Sequence, residues 1–203
     1  MINEEKYKLT EKNYHKIETD KKRIVVGNSF SANMGHYTGW LTRYNGAYKK
    51  TTMYTISVNG DIYKHFEPIY YSDVLGLQTF DESSISISIE NEGWLIKDLN
   101  EENKYITYVG NIYNRADEVF VKKWRHNKYW APYTQKQTDS LIYLINELCK
   151  QFNIPKNVIP HNTKIYNAHS HEGILYKSNL NTYFTDVNPS FDFLYVKEKI
   201  ELN

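Results

Sequence analysis

The run Ser84-Ile85-Ser86-Ile87-Ser88-Ile89 constrains this chain more than any other stretch. Successive side chains of a strand point to opposite faces, so the three isoleucines share one face and the three serines the other. A helix would scatter both sets around its circumference. The isoleucine face demands an apolar layer packed on it, and the serine face is either solvated or turned into a cleft. The second firm element is a helix over residues 134–152. Thr134 followed by Gln137 fits a capping box. Leu141, Leu144, Ile145, Leu148 and Phe152 recur at helical spacing, and Ile154-Pro155 closes the element. A strand with one apolar face and a helix with one apolar stripe predict a sheet covered by helices.

Weaker signals fill in the order. Ile24-Val25-Val26 ahead of Gly27 reads as a buried strand, with Lys21-Lys22-Arg23 as a solvated approach to it. Residues 35–45 read as a short helix carrying Trp40 and Leu41, stopped by Gly46. Alternating residues 53–58 and 61–66 flank Asn59-Gly60, a hairpin with a type I′ turn, ended by Pro68. Residues 94–123 are irregular apart from a strand over 105–109, and are read as an insertion. After Asn157 come loops, the short apolar pieces Val158-Ile159 and Gly173-Ile174-Leu175, and a last helix over 190–200. The expected fold is α/β: a mixed central β-sheet with flanking helices, in a single domain over 23–203 preceded by a polar arm over 1–22.

The 203 residues suit one domain, and 40% hydrophobic content supplies a core. A net charge of +1 argues against a nucleic-acid partner, which needs a basic footprint. The one cysteine, Cys149, falls in the apolar stripe of the long helix and reads as core, with no disulfide to make. The polar start has no signal-peptide apolar region and no run is long enough for a membrane span. The expectation is cytoplasmic synthesis without a signal peptide, with release by lysis, by assembly into a particle or by a leaderless route. Nineteen tyrosines suit half-buried strands and carbohydrate-facing surfaces equally.

Four phrases, in order, resemble the type 2 N-acetylmuramoyl-L-alanine amidases, the peptidoglycan-recognition-protein fold that includes phage lysozyme amidases. Ile24-Val25-Val26-Gly27-Asn28-Ser29 resembles the strand leading to a zinc-binding histidine. Residues 53–63 resemble the family hairpin, with its glycine at Gly60. Ser84 to Gly93 resembles the strand read there as S-I-G-I-E. Gly173-Ile174-Leu175-Tyr176-Lys177, with Thr185-Asp186-Val187-Asn188-Pro189, resembles the closing G-I-x-x-H and T-D-P-G-P phrases. The approach to the long helix at Tyr129-Trp130 is similar too.

The resemblance implies a zinc held by two histidines and an Asp or Cys, with a glutamate as proton carrier. Carried over residue by residue, the histidine positions fall on Gly27 and Lys177, the third ligand on Asp186 and the glutamate on Ser88. These replacements imply no metal cofactor and no confident catalytic residue, and a Lys177–Asp186 pair is the simplest filling of the old metal place. Asn28, Ser88, Glu90, Trp94, Lys177 and Asp186 are the expected ligand-binding residues, with Glu90 also a displaced base and Glu92 beside it. Trp124, Trp130 and Tyr133 are further candidates for stacking on sugar. The implied function is a zinc-less pseudoenzyme directed at peptidoglycan, binding muropeptide or serving as a phage-type structural component beside other proteins of a particle. The alternative is an active amidase with zinc in a rewired site, for which His36, His161, His169 and His171 are the histidines to consider, while His65 reads as a structural histidine.

Overall fold

The computed structural model describes residues 1–161 and 163–202. The Ser-Ile run forms β5 (Ser84–Ile89), a fully buried strand lying between β2 (Arg23–Asn28) and β3 (Tyr54–Ile56) and parallel to both. On the far side of β2 lies β10 (Gly173–Tyr176), again parallel, and β3 turns back antiparallel into β4 (Ile62–Lys64). A two-residue strand, β1 (Ile2–Asn3), completes the mixed six-stranded sheet in the order β1-β4-β3-β5-β2-β10.

Both predicted faces of β5 are used. Ile85, Ile87 and Ile89 join Ile24 and Val26 of β2 and Ile174 of β10 against the apolar stripe of α3 (Gln135–Phe152), where Leu141, Leu144, Ile145 and Leu148 are at most 1% exposed. Each such side chain contributes about 1.5–3 kcal/mol on burial. The capping box forms as read, between Thr134 and Gln137, and Asn153 ends α3 in the left-handed conformation. The serine face carries Val25 and Leu175 at its amino end, packed with Phe80 of α2 (Gln78–Glu82). Farther along, α1 (Gly35–Thr42) lies over it, with Trp40 buried. After β10 the chain forms a single turn, α4 (Lys177–Leu180), and ends in α5 (Phe193–Glu201), which packs Val196 and Ile200 into the core. None of the described helices is long and apolar enough to cross a membrane.

Four features differ from the sequence reading. Residues 1–22 are not a free polar arm. Leu9 and Tyr14 are core residues, Tyr14 stacks on Phe66 at 4.4 Å, and β1 pairs with β4. Their apolar residues are too sparse among charges to show a period. Lys21 is not solvated. Its ammonium meets Thr19 Oγ1 and the carbonyls of Tyr70 and Glu82 within 2.8 Å, and burial pulls its pKa down to about 7. The hairpin turn is not type I′. Gly60 N–H donates to Ser57 O, placing the turn one residue earlier, and of Asn59-Gly60 only Gly60 has positive φ, at +86°. A Cβ there would also sit 2.9 Å from Lys136 O, so the turn docks directly on α3. Finally, residues 94–123 are not irregular. With residues 127–130 they build a second antiparallel sheet from β6 (Trp94–Lys97), β7 (Tyr105–Thr107), β8 (Phe120–Trp124) and β9 (Asn127–Trp130), in the order β7-β6-β9-β8. Short strands of three to five residues fall below the length at which alternation is legible.

Candidate functional site

In open α/β sheets, ligands bind beyond the carboxyl ends of the parallel strands. The residues singled out from sequence lie there, in one row. Thr55 of β3 is level with Ser88 of β5, and Ser88 is level with Gly27 of β2. Tyr176 is level with Val26, so Lys177 follows beside Gly27. Side chains in one row of neighbouring strands share a face, which is why positions 150 residues apart converge. Asp186 reaches the same point from the C-terminal segment. Its Oδ2 accepts from Asn28 N at 3.1 Å, and a Cβ added to Gly27 would lie 2.6 Å from that oxygen and 3.0 Å from Lys177 Cδ.

These residues surround a cleft of about 200 Å³, lined by Gly27, Asn28, Ser86, Ser88 and Lys177, with Phe30, His36, Trp40, Lys50 and Thr52 around the wall. The expected Lys177–Asp186 ion pair does not form. Lys177 Nζ lies over the Phe184 ring, 5.0 Å from its centroid, and makes no salt bridge to the carboxylate among the described residues. The aliphatic stem of Lys177 packs on Gly27 and carries the ammonium past Asp186. Asp186 is 1% exposed, and burial pushes its carboxyl above the ordinary range, opposed by the nearby Lys177 charge and the Asn28 N–H.

Zinc needs three protein ligands and an open position. The residues present do not fit it. Gly27 has no donor and no room for one, Lys177 brings a positive charge, and Asp186 alone is a ligand type. No three His, Cys, Asp or Glu side chains converge among the described residues.

The histidines do not assemble a metal site, and His36 and His65 are committed elsewhere. His65 Nδ1 lies 2.7 Å from Tyr7 O, which can only accept, so Nδ1 carries the proton. Burial lowers the pKa of His65 to about 4 and of His36 to about 3, so both rings are neutral. His65 Nε2 therefore accepts from Thr55 Oγ1 at 2.8 Å, Thr55 Oγ1 accepts from His36 Nε2 at 3.0 Å, and His36 Nδ1 accepts from Ser31 Oγ at 3.0 Å. This one-way chain pins α1 to the sheet and leaves no lone pair on either ring for a metal. His161 packs among Tyr176, Phe191 and Phe193. His169 and His171 do not approach the cleft; their carbonyls accept from the Arg23 guanidinium.

The remaining candidates divide. Glu90 is not free to act as a displaced base: Oε1 accepts from Met34 N at 2.5 Å and Oε2 from Val58 N at 3.1 Å. With Glu92 it lines a separate cleft beside the second sheet. Trp130 is fully buried and Tyr133 donates to Asn28 Oδ1 at 2.5 Å, so both are packing and positioning groups rather than stacking surfaces. Trp124 stays partly exposed, with the Arg125 guanidinium 4.4 Å from its ring. Trp94 meets Tyr108 edge-on at 5.4 Å, and Tyr108 meets Phe30 at 6.2 Å, an aromatic wall reaching the cleft from the second sheet. Tyr108 was not legible as a site residue, since the second sheet brings it there, whereas Phe30 follows directly on β2. The row geometry makes one test direct. Gly27→Ala is expected to destabilise by about 1–3 kcal/mol, because the buried Asp186 carboxylate must shift; equal denaturation midpoints for variant and wild type would contradict the close approach.

Comparison with known proteins bears on this cleft. The family model described as N-acetylmuramoyl-L-alanine amidase (Amidase_2) matches residues 14–173. A comparison with curated proteins returns no match. Among solved structures, the N-acetylmuramoyl-L-alanine amidase LysC from Clostridium intestinale URNW is similar at 15% identity and TM-score 0.57, over 99% of this chain and 97% of that one. The N-acetylmuramyl-L-alanine amidase AmiD from E. coli, in complex with the substrate anhydro-N-acetylmuramic acid-L-Ala-D-gamma-Glu-L-Lys, is similar at 15% identity and TM-score 0.57, over 91% of this chain and 59% of that one. The Ph2119 endolysin from the Thermus scotoductus MAT2119 bacteriophage is similar at 12% identity and TM-score 0.55, over 98% of each chain. At these identities the likeness is one of fold.

Proposed function

The chain belongs to the N-acetylmuramoyl-L-alanine amidase family, and from that premise we propose that it engages peptidoglycan through the Gly27 cleft without cutting it. The observation that carries this reading is the convergence of Gly27, Lys177, Asp186 and Ser88 at one point with a donor set unsuited to zinc. Amide hydrolysis in such a cleft requires a polarised carbonyl and an activated water. A serine hydroxyl at position 88 is no base at neutral pH, and both Glu90 oxygens are occupied by backbone amides. What the cleft retains is recognition: the Lys177 ammonium and the Ser86 and Ser88 hydroxyls of its lining, and the wall of Phe30, Tyr108 and Trp94 for the face of a sugar ring. The muropeptide bound by the E. coli neighbour is the ligand class this reading takes over.

A second reading is favoured by the second sheet, which leaves Ile96, Tyr108, Val109, Ile112 and Val121 more than half exposed. Exposed apolar surface of this kind marks assembly contacts, and fits a structural component of a phage-type particle. An active amidase with a rewired zinc site is the weakest reading, since His36 and His65 are engaged with each other through Thr55 and no three ligand side chains converge among the described residues. Co-sedimentation with purified sacculi, with release of free amino groups followed in parallel, separates the three. The proposal predicts binding without release. No binding favours the structural role, and release abolished by chelator restores the amidase.

A further inference from the structure

We propose that the hollow beside the C-terminal end of α1 is a second binding site, outside the Gly27 cleft, which holds an acidic sugar chain; the choice of a cell-wall polymer as its ligand rests on the peptidoglycan reading. The argument starts from how the chain leaves α1. Tyr44 and Asn45 both take left-handed backbone conformations, at φ +50° and +53°, and Gly46 follows at +82°. Such conformations are unfavourable for an aromatic residue and persist only where the surroundings fix them. Buried Asn13 does so: its Nδ2 donates to Gly46 O at 3.0 Å and to Tyr48 O at 3.3 Å. The strained turn brings little burial to the ring it displays. Tyr44 is 78% exposed and lies parallel to Tyr48, with centroids 5.9 Å apart. An exposed aromatic ring held out on a pinned turn suits contact with a ligand better than it suits packing.

The same turn gathers cations. Arg43, Lys49 and Lys50 line, with the two tyrosines, a shallow hollow of about 760 Å³. The carboxylate in its lining, Asp73, is met by His15 Nε2 at 2.9 Å, and His15 Nδ1 lies 3.4 Å from Lys49 Nζ. Arg43 and Lys50 make no salt bridge among the described residues. The Arg43 guanidinium lies 5.2 Å from the centroid of the Tyr48 ring. The hollow thus sets aromatic rings beside two uncommitted cations, in a protein whose net charge is only +1. An aromatic face takes the apolar face of a sugar, and the cations take an acidic group carried on it. The volume is that of a site for a short oligosaccharide. Lys50 also lines the Gly27 cleft, so the two sites adjoin and one chain can reach both. A nucleic acid would need a longer basic track than these residues supply.

The acidic group has two sources in a cell wall: the muramic acid carboxylates of glycan strands stripped of their peptides, and the phosphates of sugar-phosphate polymers. The test is an NMR titration of the full chain with each of these as a soluble probe, and with a chitin oligosaccharide as an uncharged control, following the amides of Gly46 and Lys50. At least one acidic probe is expected to bind about fivefold or more tightly than the control, and which one does so identifies the source. Tyr44→Asn suits the left-handed backbone but lacks the ring, and is expected to weaken that binding about fivefold; Tyr44→Phe is expected to retain it. Replacing Arg43→Gln and Lys50→Gln together is expected to remove the preference over the control. Equal binding of acidic and uncharged probes overturns the proposal, as does full affinity in folded Tyr44→Asn. Tighter binding of a single-stranded DNA oligonucleotide at these amides than of either acidic probe overturns it too. Co-sedimentation with sacculi is measured alongside. Sacculi bound while neither probe shifts these amides refute the second site and leave the peptidoglycan reading standing, whereas failure of both refutes both.

Discussion

Glu90→Ala is expected to destabilise the protein by about 3 kcal/mol, with any contact to peptidoglycan left intact in the fraction that stays folded. The carboxylate is 5% exposed, and each oxygen holds one backbone amide, Met34 N ahead of α1 and Val58 N in the hairpin turn. Charge-assisted bonds to a carboxylate are about twice as strong as neutral ones, and each donor left bare in the interior costs about 1–3 kcal/mol. Val58 is partly exposed and recovers some of its loss from water, which keeps the total in the lower half of that sum. Glu90→Gln, with one acceptor left, is expected to lose less than half as much. Chemical denaturation of the three proteins checks the order. A displaced catalytic base would behave differently, because removing it would spare stability, or raise it by relieving a buried charge.

Wild type and His65→Gln are expected to converge in stability as pH falls from 7 to 4, by about 3 kcal/mol. His65 is fully buried, and burial lowers its pKa from 6.5 to about 4. Below pH 6.5 the unfolded chain takes up a proton that the native ring refuses. The stability contributed by the neutral ring is thus complete above 6.5 and lost as pH drops toward 4. Glutamine can donate to Tyr7 O and accept from Thr55 but does not titrate, so the difference between the two proteins isolates this ring. Buried carboxyls complicate any absolute profile. Asp81 is raised to about 6 by burial, and Glu92 and Asp186 are raised too, which favours the native state as pH falls. Those contributions are common to both proteins and cancel. A difference that does not change with pH would mean that the native His65 ring takes up a proton as readily as the unfolded one, and the proton order Tyr7–His65–Thr55–His36–Ser31 would be wrong.

How much of this was legible beforehand follows from the range of the interactions. The β5 strand, the α3 helix with its capping box and the order of the core strands rest on periodicity and local capping, and sequence carries both. The convergence of Gly27, Ser88, Lys177 and Asp186 was reachable only through the resemblance, because parallel register sets it and no local pattern encodes register. Three things were not legible. The N-terminal 22 residues dock through isolated side chains such as Leu9 and Tyr14. The second sheet is made of strands too short to show alternation. Lys177 passes Asp186 and lies over Phe184, a choice made by the room beside Gly27 rather than by the attraction of opposite charges that suggested the pair.

The central claim is that this amidase cleft has no place for the metal. Zinc content of the purified protein, incubated with excess zinc, dialysed and measured by elemental analysis, tests it most directly. The account predicts far less than one zinc per chain, and no increase in thermal midpoint when zinc is added. One tightly held zinc per chain, lost with chelator together with stability, would contradict it and make His36, His161, His169 and His171 the residues to replace next.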